Sequence, residues 1–262
     1  MSIPKEALVL PEKIHSLITL QYRGSIAHGM YVPKSDPNSI DDKDIIGCFI
    51  FPLAFYFGHE HNKKSRSIEK KYMEWDGVFY EFRRLMDLLM KGNPNVLSTL
   101  WVEEKNIIQN SWQWKEIVKN RDLFSTKQVY HSFVGYANGQ FHRMEHCACE
   151  GYMGAKRKAL VEQFGYDTKN AAHLIRLLTM AIEFLTEGKL YVERTTDATY
   201  LLDIKKGKYT LDEVKKTANE MFSLAREAYV KCDLPNIVDE QKVNKLMVSI
   251  LENTFFGENE NV

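Results

Sequence analysis

Little in this chain of 262 residues could cross-link it or anchor it. Cysteine occurs four times, as Cys48, Cys147, Cys149 and Cys232, too sparsely for a disulfide framework at this size. The longest apolar run, residues 45–57, is interrupted by Gly47 and Pro52 and is too short to span a bilayer. Residues 1–13 lack the uninterrupted apolar core of a secretion signal. These absences lead to the expectation of a reduced, cytoplasmic protein with no membrane association. An excess of charge is missing as well, since 35 Lys and Arg face 35 Asp and Glu. That argues against a broad basic surface for long nucleic acids and leaves a local basic site open. There is no internal repeat and no low-complexity tract, and nothing in the sequence reports the oligomeric state.

What is present is enough apolar and aromatic material for a real core, which argues against disorder. The length suits one large domain or two small ones, and the pattern changes style near residue 110. Up to that point short apolar segments alternate with turns. Residues 17–23 and 45–51 read as strands, the second apolar enough for burial on both faces. Residues 59–71 are polar and read as a loop or short helix. Residues 78–82 read as a third strand behind an Asp76-Gly77 turn signal, with Asp76 structural. Residues 85–90 read as a helix closed by Lys91-Gly92-Asn93-Pro94, and residues 96–101 begin another. Beyond residue 110, helical periodicity dominates, over 128–158, 170–185, 210–231 and 240–256. In the second of these, Leu174, Ile175, Leu177, Leu178, Ala181, Ile182 and Leu185 form a core-facing stripe. Thr210 and Glu213 have capping-box spacing. Residues 191–204 read as irregular or as short strands, and 257–262 as a frayed tail. The expected division is 1–109 and 110–262.

The segment with the most chemistry runs Tyr22-Arg23-Gly24-Ser25-Ile26-Ala27-His28-Gly29, then, after a loop, Asp42-Lys43-Asp44-Ile45-Ile46-Gly47. An apolar strand ends in a Gly-Ser turn, and two carboxylates one residue apart open the next strand. Gly24 lets backbone approach a phosphate without a side-chain clash, and the Ser25 hydroxyl can donate to phosphate oxygens. Residues two apart on a strand share a face, so Asp42 and Asp44 can hold hard cations together. Carboxylates plus substrate phosphates are a common way to hold Mg²⁺. The pattern therefore suits a nucleoside triphosphate with divalent metal. Glu81, a charge between Tyr80 and Phe82, is the candidate third carboxylate. Three carboxylates with two ions can activate an attacking hydroxyl and stabilise a leaving oxygen, and a carboxylate beside that hydroxyl can take its proton. The plain alternative is that acidic residues at a strand entrance are turn formers and solvated ends. Asp36 and Asp41 are rival positions, and Asp42 and Asp44 are preferred because the apolar strand follows directly from them.

Lys169, His173 and Arg176 share a helix face outside the apolar stripe and could reach a triphosphate or a second substrate. A solvated face is the alternative. His28 could hydrogen-bond phosphate, orient the Gly-Ser loop or simply pack. Lys156-Arg157-Lys158 reads as ordinary charged surface rather than an acceptor-phosphate contact. His142, His146, Cys147 and Cys149 are zinc-ligand types. No second distant pair has structural-site spacing, however, and the two cysteines diverge on a helix, so zinc is not expected.

Gly24-Ser25 through Asp42-Lys43-Asp44, with Glu81 downstream, resembles the DNA polymerase β-like nucleotidyltransferases. Gly24-Ser25-Ile26-Ala27-His28-Gly29, Tyr80-Glu81-Phe82-Arg83-Arg84, Lys91-Gly92-Asn93-Pro94-Asn95-Val96-Leu97 and Gly165-Tyr166-Asp167-Thr168-Lys169-Asn170-Ala171-Ala172-His173-Leu174-Ile175-Arg176 together resemble the branch of predicted nucleotidyltransferases associated with RNA ligases. The resemblance implies an α/β (α+β) fold, with a small mixed sheet followed by a mostly helical region. It implies Gly24 and Ser25 at the triphosphate, Asp42 and Asp44 as metal ligands and Glu81 as the third carboxylate. The segment between Ser25 and Asp42 departs from the pattern in its length. The expected activity is Mg²⁺-dependent transfer of a nucleoside monophosphate from an NTP to a hydroxyl, with two ions and release of pyrophosphate. The acceptor is an RNA end, with tRNA as one case, or a small molecule. The rival expectations are a catalytically silent nucleotide- or nucleic-acid-binding module and a helical partner-binding protein.

Overall fold

The computed structural model describes residues 3–257 apart from 9, 12, 37, 38, 40, 60–65 and 147–154. Five strands, β1 (Ser16–Tyr22), β2 (Lys43–Ile50), β3 (Ser67–Tyr72), β4 (Trp75–Glu81) and β5 (Ile107–Asn110), form one sheet in the order β3-β4-β2-β1-β5. The β2–β4 pair is parallel and the other pairs are antiparallel. The sheet has an apolar cluster on each face. Ile46, Cys48 and Ile50 belong to the large cluster shared with the helices, whereas Ile45 and Phe49 join Phe79 and Trp75 in a smaller one. This alternation is the period-2 geometry of a strand, and it buries β2 from Ile45 onward on both sides, as expected. An irregularity between Leu17 and Thr19 lets Ile18 and Leu20 serve opposite clusters, the usual effect of a bulge on side-chain direction.

In chain order the helices are α1 (Gly24–Ala27), α2 (Leu53–Phe57), α3 (Phe82–Met90), α4 (Pro94–Leu97), α5 (Trp112–Lys119), α6 (Gly135–His146), α7 (Ala155–Phe164), α8 (Thr168–Glu187), α9 (Ala198–Lys205), α10 (Leu211–Lys231) and α11 (Glu240–Phe256). Helix α8 is the hub, packed by α6, α9 and α10. Asp167 caps its start by accepting from the Asn170 N–H, and Gly188 closes it in the left-handed conformation at φ 69°. The stripe read from the sequence is buried in the large core apart from Ile182, which packs against it, and Leu185, which joins a small cluster with Ala228 and Cys232. The capping box of α10 is formed: the Thr210 N–H donates to Glu213 Oε2 at 2.8 Å and the Glu213 N–H to Thr210 Oγ1 at 3.3 Å. The architecture is the expected α+β class, a mixed sheet with a helical C-terminal region. No helix among the described residues is long and apolar enough to cross a membrane.

Three local expectations are corrected. Ser67–Tyr72, read as loop or short helix, is an edge strand. Its lysines and glutamate face water, as edge strands use charge to block further pairing. The turn before β4 is Met73-Glu74, with Met73 left-handed at φ 52°, so Asp76-Gly77 lies inside the strand. Residues 198–205, rich in β-branched and aromatic neighbours, form helix α9 because Leu201 and Ile204 bury against α8. Residues on both sides of position 109 belong to β5, which pairs with β1.

Candidate functional site

Strand β1 runs into Arg23 and the short helix α1. Gly24 sits at φ 61°, and a Cβ there would come within 2.1 Å of Asp44 Oδ2. The absence of a side chain at Gly24 is therefore what admits the Asp44 carboxylate. The Arg23 N–H donates to the Asp44 backbone oxygen at 2.9 Å, which fixes the Gly-Ser turn to the start of β2.

In the parallel pair, Asp44 stands in register with Asp76. Partners in register present side chains to the same face, so Asp76 lies beside Asp44. Burial pushes the Asp44 carboxyl up to about 6, Arg23 and Lys169 pull it down, and the negative charges of Asp76 and Asp42 push it up further. Asp42, just before the strand, meets Lys71 at 3.1 Å and Lys34 at 3.7 Å. Asp76 is 39% exposed and meets Arg23 at 3.9 Å. Crowded hard oxygen donors of this kind suit Mg²⁺. Among the described residues no three groups converge closely enough to hold an ion as they stand.

Glu81, expected as the third carboxylate, is corrected. It pairs with Phe49 at the other end of β4. Five positions separate it from Asp76, roughly 16 Å at about 3.3 Å per residue, and an odd number of positions puts it on the opposite face. Its side chain is fully buried and fully used. It accepts from the Arg83 and Arg84 N–H groups at 2.8 and 3.2 Å, from Arg66 Nε at 3.0 Å and from the Tyr56 hydroxyl at 3.0 Å. Burial and then the Glu81 charge raise the Tyr56 phenol, so it remains a donor. Glu81 is the N-cap of α3. Asp76 was missed because Asp-Gly is a strong turn signal. Its register with Asp44 could be read only once β4 was known to start at Trp75.

The rival aspartates have other partners. Asp36 lies in a turn closed by its N–H to the Pro33 oxygen at 2.9 Å. Asp41 is buried, accepts from the Val32 N–H at 3.0 Å, and is ion-paired to Lys205 of α9 and, at 3.6 Å, to Lys169 of α8. Asp41 thereby ties the loop carrying Asp42 and Asp44 to the helical region. Burial lowers the Lys205 ammonium against the opposing pull of Asp41.

The remaining candidates separate. Lys169 sits with the carboxylates, in reach of Asp41 and Asp44. His28 and Arg176 instead line a small cleft with Arg23, Gly24, Asn95 and Ser98. The His28 Nδ1–H donates to the Val192 oxygen at 2.7 Å. Burial and then Arg176 push His28 well below its usual range. His173 is lowered by the same two causes, and its Nε2 is buried without a partner. Arg157, from the small basic cluster, is committed to the α8 cap, reaching Asp167 at 2.7 Å. Cys147, Cys149 and the side chain of His146 lie outside the described residues.

A family model described as the RNA repair pathway DNA polymerase beta family matches residues 11–249. Neither the curated proteins nor the solved structures gave a match.

Proposed function

The chain belongs to that RNA repair pathway DNA polymerase beta family, and we propose on this basis that it transfers a nucleoside monophosphate from an NTP to a hydroxyl, releasing pyrophosphate. The observation that carries the reading is the register of Asp44 with Asp76 beside the Gly24 turn. Asp42, Asp44 and Asp76 would hold the divalent cations, which when bound neutralise the phosphates and lower the pKa of the attacking hydroxyl. Ser25 and Lys169 orient the triphosphate, the first by its hydroxyl and the second by its charge. Asp76, the most open of the three carboxylates, is placed to take the proton of the acceptor hydroxyl. The acceptor oxygen bonds to the α-phosphorus, and the bond from that phosphorus to the pyrophosphate oxygen breaks. The family's link to RNA repair supports an RNA end as the acceptor.

The test is pyrophosphate release with each NTP and Mg²⁺, using RNA ends and small hydroxyl compounds as acceptors. Wild type is compared with Asp44→Asn and Asp76→Asn. Release by wild type that both substitutions abolish is the expected result. Nucleotide binding without release would identify a silent binding module, and equal release by the variants would place the chemistry elsewhere.

A further inference from the structure

Arg176 is a buried cation with no ion-pair partner among the described residues. It is 8% exposed, and its one hydrogen bond among those residues is to the sulfur of Met180 at 3.2 Å. A guanidinium carries five donors, so most of its capacity is unused. The carboxylate whose charge reaches it, Asp197, is committed to another residue. Asp197 and Glu183 both grip Arg194, through four bonds of 2.7–3.0 Å. Burial and then the Arg194 charge drive Arg176 down to about 9, with Asp197 only partly opposing them. Leaving a buried charge unpaired is costly, and the cost is relieved if an anion enters.

The cleft beside α1 leads to this guanidinium. None of the described residues lining it is acidic. Arg23 lies on its wall with a buried Nε that has no partner. Val102, Phe133, Leu177 and Val192 supply apolar walls that lower the local dielectric and strengthen a charged contact. His28 adds a specific element. Because its Nδ1–H is spent on the Val192 oxygen, the neutral ring offers Nε2 as an acceptor. A cation beside a neutral acceptor matches a terminal phosphate, whose charged oxygens accept from Arg176 while its P–OH donates to Nε2. A phosphodiester has no such proton.

We propose that this cleft is a subsite for a terminal phosphate group, built on Arg176 with His28 and Arg23; Asp42, Asp44 and Asp76 are not among the residues that line it. The proposal rests on the nucleotidyl-transfer reading for what brings the phosphate there. Two sources share the chemistry: the γ-phosphate of the NTP and a phosphate at the end of the acceptor RNA.

The full-length protein is titrated calorimetrically in EDTA with inorganic phosphate, with ATP, and with one oligoribonucleotide in 5′-phosphorylated and unphosphorylated forms. Metal-free phosphate binding by wild type and by Asp42→Asn/Asp44→Asn, weakened at least tenfold in Arg176→Gln, is the expected result. A loss confined to ATP assigns the γ-phosphate, and a loss confined to the phosphorylated oligoribonucleotide assigns the RNA end. A folded Arg176→Gln protein that binds within twofold of wild type overturns the subsite, as does wild type that binds no phosphate. If Arg176→Gln does not fold, a wild-type crystal soaked in tungstate decides. Density between Arg176 and His28 supports the subsite, and density only elsewhere overturns it. The two proposals fail separately: transfer abolished by Asp44→Asn without cleft binding removes the subsite alone, and cleft binding without any transfer removes the transferase reading alone.

Discussion

Asp44 and Asp76 face the same side of the sheet in register across two parallel strands, while Glu81 ends the second of those strands on the other side. The two acidic residues of β4 therefore stand in different surroundings. Asp76→Asn is expected to lower nucleotidyl transfer at least about a hundredfold, the scale on which a positioned proton acceptor contributes, with little change in melting temperature. Glu81→Gln is expected to do the reverse. It leaves Arg66 without its buried partner and weakens the α3 cap, costing about 1–3 kcal/mol, while turnover per folded molecule stays near wild type. Steady-state kinetics together with denaturant melts check both, and an active Asp76→Asn enzyme would sink the assignment.

Gly24 is the second test. Alanine there must hold φ 61° and displace the Asp44 carboxylate. The left-handed conformation alone costs roughly 1–2 kcal/mol, and the displaced carboxylate is expected to take transfer activity with it. Gly139, inside α6 with nothing near its absent Cβ, is the control. Gly139→Ala should stabilise by roughly 0.5–1 kcal/mol. Paired urea melts distinguish a site-specific clash from a general intolerance of alanine.

Asp41 was a rival for the catalytic position, and its geometry makes it a tie between the loop and the helices. Asp41→Asn leaves the Lys205 ammonium buried without its ion-pair partner, which costs on the order of 3 kcal/mol. Lys205→Met in the same chain removes the orphaned charge. The double variant is expected to be more stable than Asp41→Asn alone, and a merely additive loss in the melts would argue against the tie.

The sequence made the parts visible but not all of their pairings. The run from Ile45 to Ile50 announced a doubly buried strand, and the stripe on α8 announced a hub helix, because both follow from local periodicity. Gly24 and Asp44 were legible as a motif, and the structure brings them together, a Cβ at Gly24 falling within 2.1 Å of Asp44 Oδ2. The place of Asp76 beside Asp44 was not legible. It depends on where β4 begins, and that is set by a turn at Met73, a residue with no turn preference, while Asp76-Gly77 carried the stronger turn signal. Strand β3 was hidden for a related reason, because an edge strand needs no apolar alternation on its exposed face. Arg176 was visible as a cation on the α8 face. Its lack of an ion-pair partner among the described residues was not, because Asp197, whose charge reaches it, is held by Arg194.

Two histidines that resist protonation, His28 and His173, predict an acid-sensitive fold. Burial, followed by the charge of Arg176, holds His28 and His173 well below the usual value of 6.5. Below that pH the unfolded chain binds protons that the native state refuses, so stability falls as pH falls. Each histidine contributes up to about 1.36 kcal/mol per pH unit, or about 2 kcal/mol between pH 6.5 and 5. Asp44 works in the other direction. Its carboxyl, raised to about 6, takes up a proton in the native state before the unfolded state does, and so adds stability over the same interval. The net curve of wild type mixes the two, and a difference curve separates them. Stability by urea unfolding is measured at pH 7.5 and pH 5 for wild type and His28→Gln. The advantage of wild type over the variant should shrink by about 2 kcal/mol at the lower pH, whatever its size at the higher one. Parallel curves would mean that His28 takes up a proton in the folded protein as readily as in the unfolded chain, against the effect of its burial.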